Sequence, residues 1–134
     1  MTEPSRAEEV QAELLRAERS LQAAQSLLEK DFLEDALSRA YYAILHAARA
    51  VLLAENVNVS SHRSVRRLFG LHLVKPEKVA VRLAKILAEE QDDRFLADYD
   101  AWFHPERERV EKRVREAGEF LAAIKTYLIG KTGS

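Results

Sequence analysis

The sequence predicts an all-α protein, an up-and-down helical bundle of four long helices plus one short helix. Three observations lead to this class. The 134 residues include only three prolines and four glycines, and alanine, leucine, glutamate and arginine, which favour helices, predominate. Apolar residues recur at steps of three and four along most of the chain, and no segment alternates as strands do. We expect a single domain over residues 1–130 and a disordered tail over residues 131–134.

The first helix is expected to run from about Ser5 to Glu29. Ser5 and Glu8 form a Ser-x-x-Glu pattern, in which the serine side chain caps the first turn. The apolar side chains that follow are spaced by three and four residues, so they share one face of the helix. They are Ala7, Val10, Leu14, Ala17, Leu21, Ala24 and Leu28. This stripe predicts one long amphipathic helix.

The second helix is expected to be capped by Asp31 and Glu34 and to continue to about Ala54. One of its longitudinal stripes consists only of alanine. Its members are Ala36, Ala40, Ala43, Ala47, Ala50 and Ala54. Because small side chains let another helix approach closely, we expect the first and fifth helices to pack on this stripe. The neighbouring stripe is apolar and is expected in the core. It comprises Leu37, Tyr41, Ile44, Ala48 and Val51.

Three further helices follow a polar loop, and serine, proline and glycine mark their ends. Serine is a common N-cap, proline suits a first helical turn, and glycine often follows a last turn. The expected bounds are Ser61 to Gly70, Pro76 to a residue between Glu90 and Tyr99, and Pro105 to Gly130. The last of these helices carries a heptad-like apolar face.

Composition excludes several classes of function. The chain has no cysteine, so it can form neither a disulfide framework nor a thiolate metal site. The histidines are dispersed and none has the spacing of a metal motif, and no phosphate-binding loop is present, so we expect no metal and no cofactor. The net charge is −1, so the overall composition does not itself demand a nucleic-acid partner. The charged beginning, MTEPSRAEEV, and the lack of a long apolar segment predict a cytoplasmic protein without a membrane partner.

A third stripe on the second helix carries polar residues. It comprises Asp35, Arg39, Tyr42, His46, Arg49 and Leu53. Arg39 and His46 are seven positions apart, hence only about 20° apart around the axis and about 10 Å apart along it. Their side chains could therefore converge on a phosphate-sized anion. The alternative interpretation is a solvent-exposed face or a subunit interface, with Asp35 and Arg39 forming an ion pair.

The stretch SRAYYAILHAARAVLL, residues 38–53, resembles the HEPN-domain proteins, in the branch whose members carry an RAYYAxxHAA motif. Two later segments resemble the same branch in the same order. SHRSVRRLFGLHLVK, residues 61–75, looks like its short helix and the loop that follows, and DRFLADYDAW, residues 93–102, looks like its Arg-x-x-x-Asp-Tyr element. The final helix, containing REAGEFLAAIKTYL, has the alanine and aromatic spacing of that branch. The resemblance covers nearly the whole chain and implies a small helical bundle.

The HEPN resemblance also implies a function. It predicts a nucleotide- or RNA-binding module that works with a partner of the nucleotidyltransferase fold. It predicts a homodimer or larger homo-oligomer, formed through part of the alanine or aromatic surface. In nuclease members of the family, an arginine and a closely following histidine on a late helix meet across a dimer and cleave RNA without metal. Here Arg94 occupies the late position, but the next histidine is His104.

Two sets of residues are candidates for the site. The first set is Arg39, Tyr42, His46 and Arg49, and the second is Arg94, Asp98 and Tyr99. Both are candidates for binding a nucleotide or another anion. If the protein is instead a metal-independent endoribonuclease related to toxins, His46 would be the general acid or base, and Arg39 would stabilise charge on the phosphate. Two further alternatives remain: the second set forms only an intrachain ion pair and cap, or the whole protein is a purely structural homo-oligomer.

Overall fold

The computed structural model of the protein describes residues 3–132. It contains four long helices and one short helix, and no strand occurs within this range. The helices are α1 (Arg6–Glu29), α2 (Leu33–Ala54), α3 (His62–Phe69), α4 (Val81–Tyr99) and α5 (Arg107–Thr132). The predicted all-α bundle is confirmed. None of these helices combines the length and the apolar composition that a membrane span requires.

Helix α2 is the centre of the bundle. It packs along α1 and also contacts α5, α4 and α3. All five residues of its predicted apolar stripe are buried, as are the first five alanines of the alanine stripe, which have no exposed surface. The alanine stripe is therefore part of the core of a single chain. Other helices of the same chain cover these five alanines, so they offer no exposed surface for association between copies, and the expected homo-oligomer stays a prediction for the aromatic surface.

The predicted caps are confirmed at two helices and wrong at a third. The Ser5 side chain accepts a hydrogen bond from the backbone N–H of Glu8, and the Ser61 side chain accepts one from Ser64. Asp31 does not cap α2, whose preceding residue, Phe32, makes no side-chain cap. Asp31 instead has a positive φ of 65° and lies in the turn that ends α1. Its carboxylate accepts a hydrogen bond from Arg107 at 3.1 Å, which ties this turn to α5.

The segment between α3 and α4 differs from its prediction. Gly70 does not end α3, because its φ of −59° and ψ of −45° are helical and a π turn continues over Gly70–Val74. Pro76 does not begin α4. Glu77, with a φ of 61°, interrupts the helical path, and the backbone N–H groups of Lys78 and Val79 both donate to the carbonyl of Leu73. The fourth helix therefore starts only at Val81.

The ends of the last two helices also refine the predictions. Helix α4 ends at Tyr99, within the predicted interval. Helix α5 begins at Arg107, two residues after Pro105, and continues to Thr132 rather than ending at Gly130. The predicted disordered tail therefore begins with two helical residues, 131 and 132, and its residues 133 and 134 lie outside the described part of the chain.

Candidate functional site

An open groove of about 500 Å³ runs between α1 and α2. Its polar lining comes from both helices: Arg16, Arg19 and Ser20 from α1, and Arg39, Tyr42 and His46 from α2. The structure thus brings three of the four first-set candidates to one surface. It also adds two arginines that the sequence did not single out, because they belong to a different helix.

The three arginines of the groove are exposed, and none forms an ion pair with another residue in the described part of the chain. In particular, Arg39 forms no ion pair with Asp35. The interpretation of this stripe as a plain solvent-exposed face predicted that pair. Glu13 and Asp98, near the groove, pair with other residues, whereas Asp35, which lines a neighbouring groove together with Arg39, forms no ion pair with a described residue. We call Arg16, Arg19 and Arg39 the groove arginines. They concentrate positive charge on one face of a protein whose net charge is −1.

His46 is held at the end of the groove by Glu13 of α1. Its Nδ1 lies 2.7 Å from Oε2 of Glu13, and both side chains are mostly buried, with 19% and 17% exposed. Because a carboxylate only accepts hydrogen bonds, Nδ1 is the donor, and Nε2 is left for another partner. Arg49 forms an ion pair with the other oxygen of Glu13 at 3.4 Å. Arg49 is therefore engaged within the chain and is not a direct lining residue of the groove.

The pKa of Glu13 reflects this environment. Burial raises it, but the hydrogen bond from His46 and the positive charge of Arg49 outweigh that effect, so the pKa lies below its ordinary value. Glu13 is thus a carboxylate at neutral pH. In the sequence, Glu13 stands out only as a charged residue directly before Leu14 of the apolar stripe of α1, and its partner becomes visible only in the packing of α1 on α2.

The second set of candidates joins α4 to α2. Arg94 donates a hydrogen bond from Nη2 to the hydroxyl of Tyr42 at 2.9 Å, and its guanidinium lies 5.5 Å from the centre of the Tyr42 ring. It also forms an ion pair with Asp98 at 3.0 Å. Asp98 in turn accepts a hydrogen bond from Ser38 of α2 at 2.7 Å. Arg94 and Asp98 therefore have intrachain partners, as the structural alternative expects.

These residues border a second groove that continues the first. It has a volume of about 590 Å³ and is lined in part by Arg39, Tyr42 and Asp98, so the two grooves share Arg39 and Tyr42. Tyr99 lines neither groove. Its side chain is 69% exposed, and its ring packs on Phe95. The structure thus separates Tyr99 from the other candidates, although it follows Asp98 in the sequence.

His62, the first residue of α3, lies close to the same positive charges. Burial lowers its pKa, and the charges of Arg49, His46 and Arg94 lower it further. Neutral His62 therefore adds little charge to this region. No group of three or more histidine, aspartate or glutamate side chains is arranged to hold a metal ion in the described part of the chain.

Comparison with known proteins identifies the family. The family model of the HEPN domain matches residues 10–127 of this sequence. The "Putative toxin MJ0605" of Methanocaldococcus jannaschii is 38% identical over 121 residues, which cover 90% of each chain. The "Putative toxin MJ0142" of the same organism is 33% identical and is matched over 87% of this chain and 79% of its own. A UPF0332 protein of Gloeobacter violaceus is 32% identical over 84% of this chain and 90% of its own. The matched region spans both grooves, and the protein belongs to the HEPN family.

Proposed function

We propose that this HEPN protein binds the phosphate backbone of RNA in the groove between α1 and α2. The observation that carries the proposal is the set of groove arginines, which line one surface and form no ion pair within the described residues. Exposed cations that have no acidic partner attract anions from solution, and their attraction is concentrated where several line one cleft. The proposal places the protein in the cytoplasm, where RNA is available.

Arginine suits this ligand for a geometric reason. Its planar guanidinium donates two parallel hydrogen bonds to a phosphate, and it stays charged at every physiological pH. Three such groups spread along a groove fit a chain of phosphates better than a single anion. His46 adds a further hydrogen-bonding group beside the three arginines, because Glu13 holds only its Nδ1. The RNA ligand class follows the family resemblance, and the toxin names of two relatives are consistent with action on a cellular macromolecule.

The test is a salt titration of binding to a labelled single-stranded RNA in EDTA. Each of Arg16→Ala, Arg19→Ala and Arg39→Ala is expected to weaken binding several-fold at low salt. Each is also expected to reduce the slope of log Kd against log salt by about 0.7, because one phosphate contact is lost. Arg115→Ala is the matched control, since Arg115 is exposed on α5 and does not line the groove. Equal weakening by Arg115→Ala, or no binding by the unaltered protein, would contradict the proposal.

A second candidate function, metal-independent endoribonuclease, is favoured by the arrangement of His46. With Nδ1 bound to Glu13, Nε2 can take the proton from a ribose 2′-hydroxyl. The 2′-oxygen then attacks the adjacent phosphorus, and the bond from phosphorus to the 5′-oxygen breaks. The imidazolium returns the proton to that oxygen, and Arg39 stabilises the charge that develops on the phosphate. Glu13 would be a positioning residue, because it acts through His46.

Cleavage and binding can be separated in the same experiment. If the protein is a nuclease, the RNA is cut in EDTA, His46→Ala abolishes cutting while binding persists, and Glu13→Gln slows cutting without abolishing binding. RNA that is retained and stays intact over hours would support the binding module alone.

We also propose, from the family resemblance, that the protein forms a homodimer and works with a nucleotidyltransferase-fold partner. The surface for either contact must lie outside the alanine stripe, which is buried within one chain. Sedimentation equilibrium of the purified protein tests the first part, and a monomer at all accessible concentrations would overturn it. The second part predicts a stable complex when a purified nucleotidyltransferase-fold protein is added.

A further inference from the structure

Three large aromatic side chains are exposed at the end of α4 and just after it. Phe95 is 58% exposed, Tyr99 is 69% exposed and Trp102 is 89% exposed. The rings of Phe95 and Tyr99, one helical turn apart, pack on each other with centres 5.0 Å apart. Exposed apolar side chains that lie close together often mark a binding surface. We call these three residues the aromatic surface. Neither groove includes them.

The aromatic surface adjoins the grooves through Asp98. This residue lies between Phe95 and Tyr99 on α4, and it lines the second groove together with Arg39 and Tyr42. Its hydrogen bond to Ser38 fixes this part of α4 against α2. Phe95 and Tyr99 therefore lie within one turn of α4 of a residue that lines the second groove, although neither ring lines it.

Two acidic residues next to these rings have partners of different kinds. Asp98 is paired with Arg94 at 3.0 Å. Asp100 accepts a hydrogen bond from the backbone N–H of Trp102 at 2.9 Å, which holds the loop after α4 in place. Among the charged residues that line the two grooves, Asp35 and the groove arginines form no ion pair with a described residue, so cations outnumber acids there by three to one. The combination of unpaired cations in a groove and exposed rings beside it is typical of proteins that bind single-stranded nucleic acid, in which phosphates follow the groove and bases stack on the rings.

We infer that Phe95, Tyr99 and Trp102 form a stacking surface for unpaired bases of the RNA whose phosphates lie in the groove. The ligand class is thereby narrowed to RNA with single-stranded segments, because paired bases cannot present their faces to a protein ring. This inference rests on the proposed function and adds a second, base-dependent component to it.

The experiment compares two probes of equal length and equal phosphate number, a single-stranded RNA and an abasic oligonucleotide with the same backbone. The RNA is expected to bind about tenfold or more tightly than the abasic probe. In the double variant Phe95→Ala with Tyr99→Ala, this difference should largely disappear because RNA binding falls to the level of the abasic probe. Arg39→Ala should weaken both probes by a similar factor. Val81→Ala, at the other end of α4, is the control for loss of an exposed apolar side chain.

Trp102 provides a direct signal, because it is the only tryptophan in the chain. Its fluorescence should be quenched by the RNA and not by the abasic probe.

The outcomes of the binding experiment are distinguishable. If neither probe binds, the proposed function itself fails. If both bind equally well and the double variant behaves as the unaltered protein does, the stacking surface is refuted while phosphate binding stands. If the double variant instead turns a dimer into a monomer without changing the difference between the probes, the aromatic surface is a contact between copies and the inference is wrong.

Discussion

Glu90 is an unusual residue of the bundle, since it is a buried acid without a partner. Only 1% of its surface is exposed, and both carboxylate oxygens accept no hydrogen bond from the described residues. Burial raises the pKa of Glu90 to about 9, and the negative charge of Glu116 adds to this effect. The folded protein therefore holds Glu90 protonated and neutral at pH 7, because an isolated buried charge is very unfavourable.

A pH-dependent loss of stability follows. The unfolded carboxyl releases its proton near pH 4.5, whereas the folded one keeps it up to about pH 9. Between these values the folded state binds more protons, so stability falls as pH rises. We expect Glu90→Gln to stabilise the protein by on the order of 2 kcal/mol at pH 7, with a gain that grows toward pH 9. Urea unfolding at several pH values measures this. Glu106→Gln, at an exposed position, is the control and should change the free energy of unfolding little. If the stability of Glu90→Gln depended on pH as that of the unaltered protein does, the explanation would be wrong.

Single residues also show how far the candidate site could be predicted. The period of α2 placed Arg39, Tyr42 and His46 on one stripe, and the structure brings them to one groove. The stripe could not show that Glu13 of α1 binds His46, because a helical period describes one helix and not the register between two. For the same reason the stripe could not identify Arg16 of α1 as a residue of the groove. The sequence predicted which residues share a face, and tertiary packing determined which groups meet there.

At the scale of elements, serine caps predicted helix starts better than prolines did, and single glycines did not predict helix ends. Ser5 and Ser61 cap as expected, because a serine side chain can satisfy a backbone donor locally. Gly70 was expected to end α3, but glycine permits a left-handed conformation without requiring it. Its helical dihedral angles instead allow the π turn that follows. Leu73 of that turn is fully buried, so burial of its side chain favours continuing the helix.

The alanine stripe of α2 leads to a prediction about packing between elements. Ala47 has no exposed surface, and interiors at native density have no room for three additional carbon atoms. We expect Ala47→Leu to destabilise the protein by about 1–3 kcal/mol. The damage should appear as a lower urea midpoint of the monomer and not as dissociation of an oligomer. Ala122→Leu, at an exposed position of α5, is the control. A normal midpoint combined with a lost dimer would show that the stripe is an interface after all.

For the whole molecule, the class of fold was predictable because composition and helical period agree along the entire chain. The junction between α4 and α5 was not, because it depends on charges far apart in sequence. Asp93 is buried and accepts hydrogen bonds from Arg109 at 2.5 Å and from Arg113 at 2.7 Å. Burial raises the pKa of Asp93, but the two guanidinium groups outweigh it, so the pKa lies below its ordinary value of 3.8.

Asp93 and Glu90 give the molecule opposite responses to pH. Because the folded pKa of Asp93 is lowered, its stabilising contribution is complete above about pH 4 and is lost as pH falls. Above pH 4.5 Glu90 lowers the stability of the folded protein, because the unfolded carboxyl releases its proton while the buried one keeps it. The two slopes meet, so we expect maximal stability near pH 5, at the acidic edge of the range of about pH 5–8 that is typical of proteins. A maximum at pH 7 or above would show that Glu90 is not buried in solution as it is in the structure.

Removing the Asp93 charge tests the acid side of this profile. Asp93→Asn removes one of three carboxylates that pair with Arg113, whose side chain is 11% exposed and which keeps Glu116 and Glu89. The lost charged hydrogen bonds are expected to cost about 1.5–3 kcal/mol at neutral pH. It should also flatten the decline of stability below pH 4.

The neighbouring Asp92 is the matched control, because it is 71% exposed and lies 3.7 Å from Arg66. Such a surface pair contributes less than about 1 kcal/mol, so Asp92→Asn should leave both the stability and the profile nearly unchanged. Equal effects of the two substitutions in urea unfolding would mean that the α4–α5 junction does not depend on the buried charge.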